Sequence, residues 1–412
     1  MGQDDGFLRA YTAQAGLRPL LETYASRYRK DLLESVIPFW LKHAPDRQCG
    51  GYFTCLDRDG TVYDTRKYVW LQGRMVWMFS KLYNELEQRP EWLDMAKLGA
   101  GFIRRYARDE KGRCYFSLAR EGSPAFYQRK PYAAVFVMMG LLEYAKATGD
   151  EEIRSEAVAL FWSIRDWIAN PELMDRPVFP GGPAVSSLAD VMVVASMAME
   201  LAAVSADPRY GEIMRDCLAA AFRHYDAERR ILMETVALDG SSLAGTPEGR
   251  LFCPGSSLEV AWFLLHLLLR FPDEIRQRQV LEIIEGSLEF GWDREYGGLY
   301  YFMDVECRPT LQLESSMKLW WPHTEALYAV LLAHSITGDE KWLAWLERLD
   351  SYAYQHFADP EYGEWFAYCD RQGNLTHSLK GNNYKGAFHV PRFLLLSVQL
   401  LERIKSRTAK ER

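Results

Sequence analysis

The feature that most constrains the fold is a motif that returns at intervals of roughly 60 residues. In each copy an Asp leads into a small or glycine-rich turn with alternating aromatic residues, a pattern typical of short β-hairpins. The interval of 117 residues between the second and third copies spans about two periods, with one copy eroded near residues 179–185. Such a period predicts a repeat architecture. The copies, spaced by 63, 117, 67 and 66 residues, begin at Asp46, Asp109, Asp226, Asp293 and Asp359.

Two kinds of segment with helical spacing lie between these motifs. The first is apolar on nearly every side, as in SSLEVAWFLLHLLLR at 256–270, and the second is amphipathic, as in DEIRQRQVLEIIEGSLEFGW at 273–292. An apolar helix belongs inside a protein, whereas an amphipathic helix places its charged face in solvent. Comparable points near the starts of the apolar helices are separated by 58, 58, 66, 67 and 66 residues. These points are Arg74, Tyr132, Asp190, Ser256, His323 and His389.

Six helical hairpins of this kind can close into a ring, whereas an open stack would leave two exposed apolar ends. We therefore predict an all-α fold, an (α/α)6 barrel or toroid, with short β-hairpins at its mouth. The whole chain, residues 1–412, would form this one domain. The starts of the six inner helices would then surround the mouth, so that residues far apart in sequence face one cavity.

Composition narrows the classes of function. A formal net charge of −7 without a long basic run argues against a nucleic acid partner. The seven cysteines are scattered and form no CxxC pair, and the N-terminus shows no secretory signal, so we predict reduced thiols and a cytoplasmic location. The longest apolar runs are too short to cross a membrane. We predict no metal and no cofactor, and the 14% aromatic content can supply rings that stack on a small-molecule sugar.

Two stretches suggest acid/base chemistry. His389 precedes Pro391 and an apolar run, so it lies at the entrance of a helix, and an imidazole there can exchange a proton at neutral pH. The alternative is a capping or packing role. In the fifth period, two indoles stand just before a His and a Glu in the first helical turn, a set that can stack and hydrogen-bond a sugar. These residues are Trp320, Trp321, His323 and Glu325.

Other polar residues occupy the same level of the predicted barrel. Arg74 lies on an apolar helix, one turn after Trp70, and needs either a ligand oxygen or a salt-bridge partner. Ser256 and Glu259 have the spacing of a capping box, which explains both without any catalytic role.

The chain also carries several longer motifs in order: GYFTCLDRDG, YVWLQGR, EYGGLYYF, KLWWPH, FADPEYGEWF and KGAFHVPR. With these motifs the sequence resembles the N-acylglucosamine 2-epimerase (renin-binding protein) family over nearly its whole length. The resemblance implies an (α/α)6 barrel and a sugar 2-epimerase of the N-acetylglucosamine/N-acetylmannosamine type, or one acting on a related free aldose. It also implies a homodimer.

The family chemistry uses two acid/base groups on opposite faces of the substrate. The resemblance implies that His389 is one of them. The other is the His of a PGH-x-x-E motif, and this chain has Ser256 there, in CPGSSLE. Carried over residue by residue and combined with the pattern above, the catalytic candidates are His389, His323, Glu259 and Glu325. The substrate-binding candidates are Arg74, Tyr68, Trp70, Asp190, Ser256, Trp320 and Trp321.

The serine leaves three hypotheses open. The first is a 2-epimerase in which His323, Glu259 or a water held by Ser256 replaces the missing imidazole. The second is an aldose–ketose isomerase, since one base on one face can move a proton between C1 and C2. Asp190 and the altered region around Tyr132 would then indicate a different substrate. The third is a sugar-binding or regulatory protein that has lost turnover.

Overall fold

The computed structural model of the protein describes residues 17–127, 130–175, 181 and 184–410. The N-terminal 16 residues, to which the prediction of no secretory signal refers, lie outside this part, as does most of the eroded repeat copy near 179–185. None of the helices in the described part is both long and apolar enough to cross a membrane.

Helices dominate the described chain, and they alternate between two layers. In chain order they are α1 (Leu17–Lys30), α2 (Ile37–His43), α3 (Val69–Glu85), α4 (Pro90–Tyr106), α5 (Tyr132–Thr148), α6 (Glu151–Ala169), α7 (Leu188–Val204), α8 (Pro208–Phe222), α9 (Pro254–Arg270), α10 (Glu274–Gly291), α11 (Trp320–Thr337), α12 (Lys341–His356) and α13 (His389–Lys410). A π-helical stretch, Asp31–Val36, joins α1 to α2.

The odd-numbered helices from α3 to α13 form an inner ring. Each packs against the next, and α13 packs against α3, which closes the ring. Nearly all residues of α5 and α11 are buried, as expected for helices that are apolar on every side. The even-numbered helices α4 to α12 and the α1–α2 segment form the outer layer, and α4 and α6 bury one face only. The prediction of an (α/α)6 barrel is confirmed.

Short antiparallel strands connect the repeats at the end of the barrel where the inner helices begin. Local hairpins pair β1 (Cys55–Leu56) with β2 (Val62–Asp64), β4 (Ser117–Leu118) with β5 (Pro124–Phe126), and β7 (Tyr225–Asp226) with β8 (Ile231–Leu232). The other pairs join successive repeats: β3 (Lys67–Tyr68) with β4, β6 (Val185–Ser187) with β9 (Thr235–Ala237), β10 (Leu251–Phe252) with β11 (Met303–Asp304), and β12 (Lys318–Leu319) with β13 (Tyr368–Cys369).

The recurring Asp has a structural explanation, because in three copies its carboxylate binds a buried Lys of its own repeat and an Arg of the following one. Since the Lys and Asp side chains are almost fully buried, each charge depends on its partner. The shortest N–O distance of each Lys–Asp and Arg–Asp pair lies between 2.8 and 3.1 Å. The three sets are Asp46 with Lys67 and Arg120, Asp293 with Lys318 and Arg371, and Asp359 with Lys380 and Arg58.

The third set lies at the seam between the last repeat and the first. Asp359 follows the outer helix α12, whereas Arg58 lies between α2 and α3, 301 residues earlier. Its Nε donates to the Asp359 carboxylate at 2.8 Å. The contact that joins neighbouring repeats elsewhere therefore also joins the two ends of the chain, as a closed ring requires.

Candidate active site

His389 is the first residue of α13 and lies buried at the mouth of the inner ring. Its Nδ1 is 2.7 Å from Oε1 of Glu325, in the second turn of α11. A carboxylate accepts hydrogen bonds, so it holds the proton of the neutral ring on Nδ1. Nε2 then carries a lone pair, and it makes no hydrogen bond within the described residues. The pair therefore presents an oriented base.

Glu325 is the centre of a buried network that joins three inner helices. It accepts hydrogen bonds from Nε1 of Trp262 on α9, at 3.0 Å, and from Arg392 on α13, at 2.7 Å. Arg392 also binds the carboxylate of Glu259 on α9. One guanidinium thus serves two buried carboxylates, and the position of His389 is fixed from two helices.

The charges around His389 favour its neutral form. Burial lowers the pKa of His389 well below its ordinary value, and the nearby cations Arg74 and Arg392 lower it further. Glu259 acts in the opposite direction but does not outweigh them. At neutral pH the ring is therefore uncharged and able to accept a proton.

Glu259, Glu325 and His389 also form a donor set in which one atom of each lies within 4.8 Å of the others. Such a set can ligate a metal ion. Arg392, however, already binds both carboxylates and supplies the positive charge that a cation would bring. A metal ion there would have to displace this guanidinium.

Arg74 lies on α3 among three aromatic rings. Its guanidinium carbon is 4.6 Å from the ring centre of Trp70, 4.1 Å from Phe136 and 4.6 Å from Phe388. Burial lowers the pKa of Arg74 to about 9, and Glu259 opposes this shift, so the side chain remains a cation at neutral pH. Its buried Nε has no hydrogen-bond partner in the described part of the chain. This N–H donor is suited to bind a ligand oxygen.

The paired indoles occupy different positions relative to His389. Trp320 is buried, and its ring centre lies 6.4 Å from that of the imidazole. Trp321 is only half-buried and lies 5.7 Å away, tilted by 39°. Trp321 can therefore offer a face to a ligand, whereas Trp320 supports the wall. Tyr68 is also buried and packs against Phe116.

His323 has a different environment from His389. Its Nε2 accepts a hydrogen bond from the backbone N–H of Leu299 at 2.9 Å, and its Nδ1 donates to the carbonyl of Leu319 at 2.6 Å. Its ring stacks on Tyr352 of the outer helix α12. Burial lowers the pKa of His323 to about 3. Neither nitrogen is available for proton transfer, so we assign His323 a structural role.

His323→Leu is accordingly expected to lower the free energy of unfolding by about 1–3 kcal/mol, because it leaves the buried backbone N–H of Leu299 without its acceptor. Urea denaturation measures this change, with His43→Leu on α2 as the control. The folded fraction should keep a kcat close to that of the unchanged protein. A loss of kcat without a loss of stability would instead make His323 catalytic.

The remaining predicted residues lie on the side of the mouth formed by α5, α7 and α9. Asp190 accepts a hydrogen bond from the Tyr132 hydroxyl at 2.7 Å. Ser256, in the first turn of α9, lies near the carboxyl group of Glu234, and its hydroxyl group lowers the pKa of that carboxyl group. Sequence reasoning did not single out Glu234 or Arg392. Arg392 could have been found, because it follows His389 by three residues and so shares its helix face.

Comparison with known proteins agrees with this architecture. The sequence model of the family described as N-acylglucosamine 2-epimerase (GlcNAc 2-epimerase) matches residues 51–390. The chain belongs to this family. It is 39% identical over 399 residues to N-acylglucosamine 2-epimerase of Bos taurus, covering 94% of both chains. It is 37% identical over 400 residues to the Homo sapiens protein of that name, covering 95% of this chain and 93% of that one.

Solved structures share the fold of this N-acylglucosamine 2-epimerase family member. Cellobiose 2-epimerase from Bacillus thermoamylovorans B4167 superposes with a TM-score of 0.79 at 21% identity, covering 92% of this chain and 99% of that one. A D-mannose isomerase gives a TM-score of 0.76 at 17% identity, covering 95% and 99%. At these sequence identities the structural similarity shows a shared fold and nothing more. The predicted family is confirmed by the family model and by the full-length relatives.

Proposed function

We propose that this protein is an isomerase that inverts C2 of an N-acylhexosamine, interconverting sugars of the N-acetylglucosamine and N-acetylmannosamine type. The full-length relatives carry the name N-acylglucosamine 2-epimerase. The single observation that carries the proposal is the buried His389–Glu325 pair, which leaves one imidazole nitrogen free to accept a proton. A protein that only binds sugar has no need of such a base.

The chemistry begins with the ring-opened sugar, in which the C1 carbonyl makes the proton on C2 acidic. His389 Nε2 takes this proton. The C2–H electron pair becomes the C1=C2 double bond, and the carbonyl π pair moves to O1. Arg74 is the cation that stabilises the negative charge developing on O1, since its buried Nε has no hydrogen-bond partner among the described residues. The half-buried Trp321 stacks on the sugar.

Inversion is completed when a proton reaches C2 from the opposite face and the C1 carbonyl re-forms. His389 cannot supply this proton, because it lies on the face from which the first was taken. An aldose–ketose isomerase has no such requirement, and the presence of Ser256 in place of the family histidine favours that second candidate function.

A panel of sugars distinguishes these functions. The protein is incubated with N-acetylglucosamine, N-acetylmannosamine, glucose, mannose and cellobiose, and products are identified by NMR. The proposal predicts the C2 epimer from the N-acyl sugars as the dominant product. A ketose product would identify an isomerase, and no conversion of any sugar would identify a binding protein.

The proposal has three further parts. The whole chain acts as one catalytic domain, supported by the ring that α13 closes against α3. The site of action is the cytoplasm, supported by seven cysteines that are all unpaired. The assembly is a homodimer, supported by the family resemblance.

A further inference from the structure

Glu234 occupies the wall of the mouth that faces His389. Its carbonyl accepts a hydrogen bond from the N–H of Leu188, the first residue of α7, at 3.0 Å. Its own N–H donates to the carbonyl of Leu251 in β10, which leads into α9, at 3.3 Å. The backbone of Glu234 is thus fixed between the starts of α7 and α9.

The position of α7 in the ring determines on which side of the mouth Glu234 lies. In the cyclic order of inner helices, α7 is three steps from α13 whichever way the ring is followed. The two helices therefore stand opposite each other. Residues held at the starts of α7 and α13, as Glu234 and His389 are, face each other across the mouth.

A series of neighbouring side chains leads from Glu234 to His389. Ser256, whose hydroxyl group lies near the Glu234 carboxyl group, is one helical turn before Glu259 and shares its face of α9. Glu259 binds Arg392, which is one turn after His389 on α13. Both helix faces therefore point into the same space.

The carboxyl group of Glu234 has one oxygen without a hydrogen-bond partner in the described chain. Its Oε1 is buried, and within the described residues no hydrogen-bond donor reaches it. Burial raises the pKa of Glu234 to about 7, although the nearby Ser256 hydroxyl group acts in the opposite direction. The residue as a whole is only half-buried. A buried carboxylate with a structural role would carry a cationic partner.

Among the described residues, the titratable groups near Glu234 are acidic or neutral. Asp190 and the hydroxyl of Tyr132 lie on α7 and α5, while Cys253 and Tyr301 lie on the α9 and α11 side. Near neutral pH, a large fraction of Glu234 is therefore protonated and can donate a proton, whereas His389 is neutral and can accept one.

We propose that Glu234 is the second acid/base residue of the epimerisation, acting on the face of C2 opposite His389 and replacing the histidine absent at position 256. This inference rests on the proposed function. In one direction His389 takes the C2 proton while the C2–H electron pair forms the C1=C2 bond and O1 becomes negative. Protonated Glu234 then delivers its proton to the other face of C2, and the C1=O bond re-forms.

The reaction leaves His389 protonated and Glu234 ionised, so that the proton count is unchanged. Exchange with water returns each residue to its starting state, and no oxidant, reductant or cofactor enters the balance. In the reverse direction the ionised Glu234 takes the C2 proton of the other epimer and protonated His389 returns one.

The decisive variant is Glu234→Gln, with Glu228→Gln on an exposed turn of the same loop as the matched control. Each variant is incubated in D2O with N-acetylglucosamine and, separately, with N-acetylmannosamine. Net epimerisation by Glu234→Gln is expected to fall by about 10²–10⁴-fold. Deuterium exchange at C2 should persist for one epimer, the one that His389 deprotonates, and disappear for the other. Glu228→Gln should match the unchanged protein in both assays.

Three results would contradict part or all of this inference. Undiminished epimerisation by Glu234→Gln would refute the role of Glu234 while leaving the proposed function in place. Loss of exchange from both epimers by a folded variant would assign Glu234 to positioning. An unchanged protein that epimerises neither sugar would refute the proposed function itself.

A second variant keeps the test decisive if Glu234→Gln does not fold. Glu234→Asp retains a carboxyl group but withdraws it by about one methylene from the cavity. It should still epimerise, with a kcat at least tenfold lower and a KM close to that of the unchanged protein, because only the proton transfer is affected. An unchanged kcat would overturn the proposal.

Discussion

Replacing His389 with asparagine is expected to lower kcat for epimerisation by about 10²–10⁴-fold, the range typical for loss of a general base. Asparagine can still hydrogen-bond Glu325 but cannot accept the C2 proton at neutral pH. Because substrate contacts remain, kcat and kcat/KM should fall together. Initial rates with N-acetylmannosamine and N-acetylglucosamine measure the change.

His43→Asn provides the control for this experiment. His43 ends α2 in the outer layer, and its ring contacts Phe39. Its substitution should leave kcat unchanged. If His389→Asn kept a rate near that of the unchanged protein, proton abstraction would have to be assigned to another group, and the role proposed for the His389–Glu325 pair would be wrong.

Replacing Lys380 with methionine is expected to lower the free energy of unfolding by about 3–5 kcal/mol, since it leaves a buried charge on Asp359 without its buried partner. Both side chains are fully buried, and the distance between Nζ and Oδ2 is 2.9 Å. Burial favours the neutral acid, but hydrogen bonds from Arg58 and Lys380 outweigh it and hold the pKa of Asp359 below its ordinary value. Urea denaturation at pH 7 measures the loss.

The pH dependence of this loss has a definite sign. A carboxylate whose pKa is lowered in the folded state contributes stability above its unfolded pKa, near 3.9, and loses it as the pH falls further. The difference between Lys380→Met and the unchanged protein should therefore shrink in strong acid. Lys341→Met removes a half-exposed pair with Glu285 and should cost at most about 1 kcal/mol. If Lys380→Met and Lys341→Met lowered the free energy of unfolding equally, the buried pair of Lys380 and Asp359 would not be what stabilises the contact between the last repeat and the first.

The ring itself could be predicted because its cause is local and repeated. Each period carries its own apolar helix, amphipathic helix and Asp-led turn, so spacing alone gives the number of hairpins. The pairing of strands could not be predicted in the same way. The sequence favours hairpins within each motif, but β3, β6, β10 and β12 pair with strands of the following repeat. Those hydrogen bonds depend on how the repeats stack.

The different roles of His323 and His389 show why equal spacing does not define an active site. His389 is the first residue of α13, whereas α11 begins at Trp320, which makes His323 its fourth residue. Three residues make nearly one helical turn, so His323 lies about one turn further along its helix from the mouth than His389 does. His323 therefore meets the backbone and α12, and His389 meets the cavity. Only the exact helix start distinguishes them.

Glu234 could not be found from the sequence for a related reason. It stands in one of the Asp-led turns, where an acidic residue is ordinary, and neither helix periodicity nor a motif marks it. Its significance comes from burial without a cation and from its place beside Ser256. Both are properties of the assembled barrel.

The central claim is that the C2 proton is taken from one face of the sugar and replaced on the other by exchangeable groups. The most direct measurement follows N-acetylmannosamine in D2O with the unchanged protein and detects deuterium at C2 early in the reaction. We predict that the N-acetylglucosamine formed carries one deuterium at C2 while the remaining substrate keeps its hydrogen. An inverted product that retains the original C2 hydrogen, or a ketose product, would contradict the claim.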